Sequence, residues 1–441
     1  MERKKKKTPY LYIGLSFIGV ILIGTLLLWL PWSTIGGAEN MSLIDAYFMS
    51  SSAVCVTGLT VIPNVGLTLS IYGKVILALL IEVGGISILT IGVFLLILIG
   101  KKVGMSSRFL MKEALNQNSV RGIVKFIKKI VIMSFSFQII GLIVNMFVFL
   151  PEYHNFWKAL GISAFHSLSS FNNAGFDIFG GTNSMVPYAS NILLNINTMF
   201  LIVIGGLGFI VIFDIFKKNN RKKLSLHSKI VLLMTAILII IGTLVVKLSM
   251  GNSITWLQAI FTSVTTRTAG FNTFDMSNLS TPAYIQVLIL MFIGASPCST
   301  GGGIKTTTMF LVAITIISIT RGKQINVFKR RIAAESAYRA FSLMIISLVW
   351  ICIACLIVSW VDPEFTFQQT LFETVSAFGT VGLSQGVASS GTLSIVSKII
   401  LALTMLFGRL GPLTVLSMWN KNWLNNSNEN IRYLEEKLII G

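Results

Sequence analysis

Four short stretches decide how this chain folds: Val56-Thr57-Gly58-Leu59-Thr60, Asn173-Ala174-Gly175-Phe176-Asp177, Thr268-Ala269-Gly270-Phe271-Asn272 and Thr380-Val381-Gly382-Leu383-Ser384. Each sets a glycine before a bulky apolar residue and then a small polar or acidic one. A single glycine in a loop says little. Four copies in register, each closing a half-apolar segment rich in Ser and Thr, mark an internal repeat.

Working outward, every core lies between two apolar runs of the ~20 residues needed to cross a bilayer. The runs are 10–30 and 70–100 around the segment 42–61, and 130–150 and 191–216 around 157–176. They continue as 229–250 and 283–320 around 254–271, and 341–361 and 393–418 around 367–383. The middle segments are too short and too polar to span, so they enter and return on one side. The expected fold is an all-α integral membrane protein of four tandem span, pore loop, span repeats. Its eight transmembrane helices and four re-entrant loops surround a pseudo-fourfold pore. The repeats are placed at 1–129, 130–228, 229–335 and 336–420, with a cytoplasmic tail at 421–441. Small residues at Gly84-Gly85, Gly205-Gly206, Gly294-Ala295 and Gly408 recur partway down each second span.

Composition agrees with a membrane origin. Of 441 residues, 54% are hydrophobic and only 12% charged, with mean hydropathy +0.80. A soluble domain carries roughly 25% charged residues, which excludes a cytosolic enzyme or a nucleic-acid binder despite the net charge of +19. Most basic residues fall in five clusters: 3–7, 101–129, 217–229, 321–339 and 421–437. The intervening connections hold Lys74, Lys158, Lys247, Arg267 and Lys398 against eight acids, among them Asp45, Asp177, Asp362 and Glu373. Basic loops stay in the cytoplasm, so the chain reads as multi-pass in the cell membrane with both termini inside. The basic N-terminus and the apolar run after it read as a retained first span. The four cysteines and three histidines show no metal-ligand spacing.

Four equivalent glycine loops around one axis suit a cation filter. Irregular backbone at membrane depth needs partners for its polar groups, and a dehydrated cation can supply them to converging carbonyls. Glycine permits the turn and keeps side chains out of the column. A Ser/Thr-rich pore helix would aim its negative end inward, and Asp177 with the other outer acids would gather cations at the mouth. The competing reading, glycines that merely tighten helix packing, is weaker because packing glycines recur inside spans.

Two anomalies lie in the second half. The stretch from Gly294 through Pro297, Gly301, Gly302 and Gly303 to Lys305 cannot remain helical. It reads as a polar strip across the pore, the rival being a kink filled by neighbouring helices. It is not a nucleotide loop, because Lys305 does not follow a glycine directly and no strand precedes it. Arg409 lies well inside the last span, at a cost of ~2.5 to 3.5 kcal/mol on insertion scales. It either faces the pore and pairs with the 294–305 strip or snorkels to the interface. Glu82, two residues before Gly84, is either a pore-facing acid or a structural residue, protonated or paired with Arg409 or Lys305.

These residues resemble the membrane subunit of the Ktr/Trk/HKT superfamily of K+ and Na+ translocating proteins, most of all the bacterial KtrB-type subunit. The likeness runs over nearly the whole chain and is clearest at 53–61, 171–177, 267–273, 294–308, 378–384 and 408–414. It implies K+ as the transported ion, held by carbonyls of Thr57 and Gly58, Ala174 and Gly175, Ala269 and Gly270, and Val381 and Gly382. It implies a gate made of the 294–305 loop and Arg409, no organic cofactor, a homodimer, and a cytosolic KtrA-type nucleotide-binding ring docked on the basic inner face. Membrane lipids are the other expected partner. The segment 430–441 resembles the family's C-terminal end, with Leu434 where proline is expected. Only the fourth loop keeps a channel-like Thr-Val-Gly, which implies weaker K+ over Na+ discrimination than in a dedicated channel. A cation-coupled or Na+/K+ secondary transporter is the alternative.

Overall fold

The computed structural model describes residues 9–36, 41–100, 103–114, 120–180, 184–216 and 224–419. The expected tail at 421–441 lies outside the described residues. The chain opens with α1 (Pro9–Trp29), α2 (Leu43–Val54), α3 (Val65–Thr68), α4 (Ile71–Ile86), α5 (Ile88–Leu98) and α6 (Met105–Ala114). Then come α7 (Ile123–Tyr153), α8 (Phe156–Phe171), α9 (Ile192–Leu207) and α10 (Phe209–Ile215). They are followed by α11 (Leu226–Met250), α12 (Trp256–Thr265), α13 (Thr281–Phe292) and α14 (Thr306–Thr320). The last group is α15 (Ala334–Val361), α16 (Phe367–Gly379), α17 (Ile395–Leu410) and α18 (Pro412–Trp419). A two-residue hairpin, β1 (Asn326–Val327) antiparallel to β2 (Arg330–Arg331), is the single strand pair among the described residues.

The four helices long and apolar enough to cross a membrane are α1, α7, α11 and α15. Their outward faces are apolar: Leu22, Ile23 and Leu26 on α1 and Ile139, Ile140 and Ile143 on α7 are exposed. The interior is instead rich in small polar side chains, with Ser50, Ser51, Ser52, Ser169, Ser170, Thr262 and Ser376 all fully buried. Such an inside-out distribution fits an apolar solvent outside and close helix contacts within. Helices α7, α11 and α15 begin at Ile123, Leu226 and Ala334, seven, three and two residues ahead of the expected repeat starts; on α7 the basic residues Lys125, Lys128 and Lys129 ride on the helix itself.

The second apolar run of each unit is not one straight helix. The expected span at 70–100 bends by 99° at Ser87, and that at 191–216 by 101° at Gly208. The run 283–320 is interrupted from Ile293 to Lys305, and 393–418 breaks at Gly411. Ser87, Gly208 and Gly411 all take positive φ (86°, 91° and 81°), and each falls three residues after its small-residue mark at Gly84, Gly205 or Gly408. Those marks are close-approach points. A Cβ at Gly84, Gly205 or Gly408 would strike the backbone carbonyl of Val54, Phe171 or Phe378, at the inner ends of α2, α8 and α16.

An ion pair closes the first group onto the last. Lys398 Nζ on α17 lies 2.7 Å from Asp45 Oδ1 in the first turn of α2, with side chains only 12% and 23% exposed. Lys398→Met leaves a half-buried carboxylate unpaired and is expected to lower stability by about 2 kcal/mol, read from denaturant titration in detergent. Combining it with Asp45→Asn should recover most of the loss.

Candidate ion pathway

Each of α2, α8, α12 and α16 starts on a capping side chain, respectively Ser42, Asn155, Thr255 and Thr366, which accepts from the amide three residues on. Thr255 and Thr366 complete capping boxes with Gln258 and Gln369. At the other end, each helix runs directly into one of the four glycine cores. The residue before each core glycine is tied back to its helix: Thr57 N to Ser52 O at 2.8 Å, Ala174 N to Ser169 O at 2.8 Å, Ala269 N to Thr265 O at 2.9 Å, and Val381 N to Ser376 O at 2.9 Å. Ser52 Oγ and Ser376 Oγ also accept the amides of Gly58 and Gly382, both at 3.1 Å.

The four cores share one backbone rhythm. Val56, Asn173, Thr268 and Thr380 take positive φ (57°, 59°, 74° and 51°), as do Gly58, Gly175, Gly270 and Gly382 (94°, 69°, 82° and 92°), whereas Thr57, Ala174, Ala269 and Val381 between them do not. Alternating the sign of φ turns successive carbonyls toward the same side. A side chain at positive φ is strained, so the glycines are a backbone requirement.

The four loops also close into a ring. A Cβ at Gly58 would meet the Ala174 carbonyl oxygen, one at Gly175 the Ala269 oxygen, one at Gly270 the Val381 oxygen, and one at Gly382 the Thr57 oxygen. Each glycine thus abuts the carbonyl that precedes the next glycine, and the fourth returns to the first. None of the carbonyls of Thr57, Gly58, Ala174, Gly175, Ala269, Gly270, Val381 or Gly382 accepts a hydrogen bond among the described residues. All four glycines line one mouth of ≈470 Å³, together with Asp177, Asn272, Asp275 and Ser384.

On the opposite face of the ring, the non-helical residues 293–305 are anchored in every direction. Ser296 N and Thr300 N donate to the carbonyls of Gly206 (3.1 Å) and Gly205 (3.2 Å), and the Cys298 carbonyl accepts from Phe209 N at 2.9 Å. Thr300 Oγ1 donates to Phe171 O at 3.2 Å, Gly302 N to Thr380 Oγ1 at 3.1 Å, and Gly303 N to Gly408 O at 3.3 Å. Gly301 and Gly302 lie against Thr268 and Thr380, with no room for a Cβ, while Gly294 and Gly303 meet backbone to backbone. Pro297 presents its carbonyl to Gly208.

Arg409 completes the enclosure. Its guanidinium donates to the Thr300 carbonyl and to the carbonyls of Gly84 and, at 3.1 Å, Gly85. The break at Ser87 leaves those last-turn carbonyls of α4 without helical donors, so the arginine caps a helix C-terminus as well as holding the strip. Lys305 Nζ donates to Gly301 O at 2.7 Å and Gly302 O at 3.4 Å.

Two charged residues, Arg267 and Glu373, lie elsewhere than sequence reasoning put them, and Glu82 takes the structural one of its two expected places. Glu82 is buried and accepts from Gln138 Nε2 (2.9 Å) and Asn172 Nδ2 (2.6 Å), so it forms no pair with Arg409 or Lys305. Arg267, read as an outer charge, is 5% exposed at the inner end of α12, with Nη2 3.4 Å from Thr235 Oγ1. Glu373, read as an outer acid, is fully buried within α16. Net-charge sorting by segment cannot distinguish a solvent-facing charge from one turned inward on an otherwise apolar helix.

The chain matches the cation transport protein family TrkH over residues 3–428 and belongs to it. It is therefore a membrane ion-transport protein and not an enzyme. It is 34% identical to the Ktr system potassium uptake protein B of Bacillus subtilis, over 98% of this chain and 97% of that protein. It is 35% identical to the potassium/sodium uptake protein NtpJ of Enterococcus hirae, over 99% and 98%. Among solved structures, the potassium transporter TrkH of Vibrio parahaemolyticus shares the fold with TM-score 0.72 at 19% identity, over 95% and 88% of the two chains.

Asp177 supplies a pH test of the mouth. It lies beyond the ring in the loop that follows α8, and burial pushes its carboxyl up to about 6, against hydrogen bonds from Phe179 and Ser184 that pull it down. Above that pH it is charged and attracts cations; below it the charge is lost. Uptake of ⁸⁶Rb⁺ at sub-saturating concentration should therefore fall roughly two- to fivefold as outer pH drops from about 7.5 to 5, and Asp177→Asn should flatten that drop.

Proposed function

We propose that this chain is the ion-translocating subunit of a Ktr-type system that takes up K+ across the cell membrane. The observation that carries the reading is the closed ring of four glycine loops whose carbonyls have no protein donor among the described residues. A dehydrated K+ on the ring axis replaces those donors. Thr57 and Gly58, Ala174 and Gly175, Ala269 and Gly270, and Val381 and Gly382 supply the oxygens, one glycine per repeat. The relatives named as potassium uptake proteins support the choice of ion.

In this reading α1, α7, α11 and α15 are the outer helices, and α2, α8, α12 and α16 are pore helices that enter and return. The broken pairs α4/α5, α9/α10, α13/α14 and α17/α18 are the inner helices, for eight spans with both termini in the cytoplasm. Residues 294–305, with Gly294, Pro297, Gly301, Gly302, Gly303 and Lys305, are the gate, and Arg409 is its latch. Two fixed cations beneath the ring oppose a descending K+ until the strip moves. Gating comes from a second polypeptide, a cytosolic KtrA-type nucleotide-binding ring on the basic inner face of a homodimer.

Purified protein in liposomes should take up ⁸⁶Rb⁺, with Na+ as a competitor. Gly270→Ala forces a Cβ onto the Val381 carbonyl and should cut uptake more than about tenfold, or abolish Rb+ over Na+ preference, in a protein that still purifies as a folded species. Arg409→Gln, or deletion within 296–303, should raise uptake. Unchanged uptake in both would remove the gate, and unchanged uptake in Gly270→Ala would remove the filter.

A further inference from the structure

Glu373 has no exposed surface. It forms no ion pair with any Lys, Arg or His among the described residues. Its carboxylate is instead surrounded by neutral donors. Ser384 Oγ lies 2.9 and 3.0 Å from its two oxygens, the Ala388 amide donates to Oε1 at 3.1 Å, and the Gln385 amide donates as well. All three donors come from one stretch, 384–388, that begins two residues after Gly382.

That stretch is the outer wall of the fourth loop. Leu383, Ser384 and Gly386 line the mouth beside Gly382. Ser384 Oγ also accepts the Gly386 amide at 2.9 Å, and Gln385 Nε2 donates to Met276 O at 3.0 Å, which ties the wall to the outer loop of the third unit. A carboxylate with two oxygens can bind several donors at once, so one side chain fixes five residues of irregular backbone.

The same position in the other units shows that folding does not demand an acid there. Nine residues before Gly58, Gly175 and Gly270 stand Met49, His166 and Phe261. Met49 and Phe261 are fully buried and apolar, and His166 Nε2 turns to Thr198 Oγ1 at 2.9 Å. Burying a carboxylate without a cation is costly unless every lone pair is used. Retaining one in a site that Met and Phe fill elsewhere points to a task at the loop.

We propose that Glu373 is a positioning residue for the filter: it holds the outer end of the fourth loop through Ser384, so that the Val381 and Gly382 carbonyls keep a spacing that fits K+ and leaves Na+ under-coordinated. This rests on the filter reading above. The pore helices of the other three units offer no carboxylate to their loops among the described residues; the third loop is held by Gln258 Nε2 on Thr273 O and Thr265 Oγ1 on Phe271 O instead.

The test is ⁸⁶Rb⁺ uptake into liposomes with graded Na+, using Glu373→Met, Glu373→Gln, Ser384→Ala and the Glu373→Met/Ser384→Ala pair. In Glu373→Met, Na+ should compete at about tenfold lower concentration, roughly 1.4 kcal/mol of discrimination, while maximal Rb+ uptake changes much less. Glu373→Gln keeps one acceptor and should restore part of the discrimination. Ser384→Ala should resemble Glu373→Met, and the pair should be no worse than either alone. Wild-type Na+ competition in folded Glu373→Met, or effects of the two substitutions that multiply, overturns the proposal. Should Glu373→Met fail to fold, Ser384→Ala with unchanged competition overturns it by itself. Gly382→Ala run in parallel separates the two levels. If it alters uptake or competition and the Glu373 and Ser384 variants do not, only the positioning role falls; if it alters neither, the filter reading falls and this role with it.

Discussion

Every part of this interior answers to one constraint: a backbone carbonyl removed from water must find a donor or a cation. Two populations of such carbonyls exist here, one on each side of the pore loops. At the inner breaks, the last-turn carbonyls of α4, α9 and α17 lose their helical amides. Arg409, Ser296, Thr300 and Gly303 supply donors to Gly84, Gly85, Gly206, Gly205 and Gly408. At the ring, the carbonyls from Thr57 to Gly382 receive nothing from the protein among the described residues. The first population holds the strip 293–305 in place; the second is left open, and in the proposed function it takes a desolvated ion.

The same accounting explains why the breaks recur. A straight inner helix would satisfy itself and offer the strip 293–305 nothing to hold. Positive φ at Ser87, Gly208 and Gly411 releases the acceptors three residues after each close contact with a pore helix, at Gly84, Gly205 and Gly408. Contact with the pore helix and contact with the strip therefore meet at the same residue: Gly205 and Gly408 abut the Phe171 and Phe378 carbonyls and accept from Thr300 N and Gly303 N. Thr300 and Gly303 of the strip thus sit directly against the glycines that pack on the carbonyl ends of α8 and α16.

Much of this was legible in the chain. The glycine cores, the Ser/Thr-rich helices ahead of them and the helix-breaking run from Gly294 to Lys305 all carry strong local signals. The placement of the small-residue marks also had a physical cause that the structure supplies: Gly84, Gly205 and Gly408 contact Val54, Phe171 and Phe378, while Gly294 meets Gly302 and Gly303. The break at Gly411 had a sequence cue in Pro412, a residue suited to the first turn of a new helix. Ser87 had none, because a serine between isoleucines in an apolar run looks like helix, and only the tertiary demand for free carbonyls forces its φ to 86°. Glu373 and Arg267 were misplaced for a related reason: charge counted along the chain gives a side of the membrane but not a direction on the helix face.

The central claim, that the donor-free ring is the cation site, is tested most directly by locating the ion. A crystal of the protein grown with Rb+ and measured at the rubidium absorption edge should give an anomalous peak on the axis, ringed by the carbonyls of Thr57, Ala174, Ala269 and Val381 and their following glycines. No peak at that ring, with rubidium bound elsewhere in the membrane region, would contradict the account.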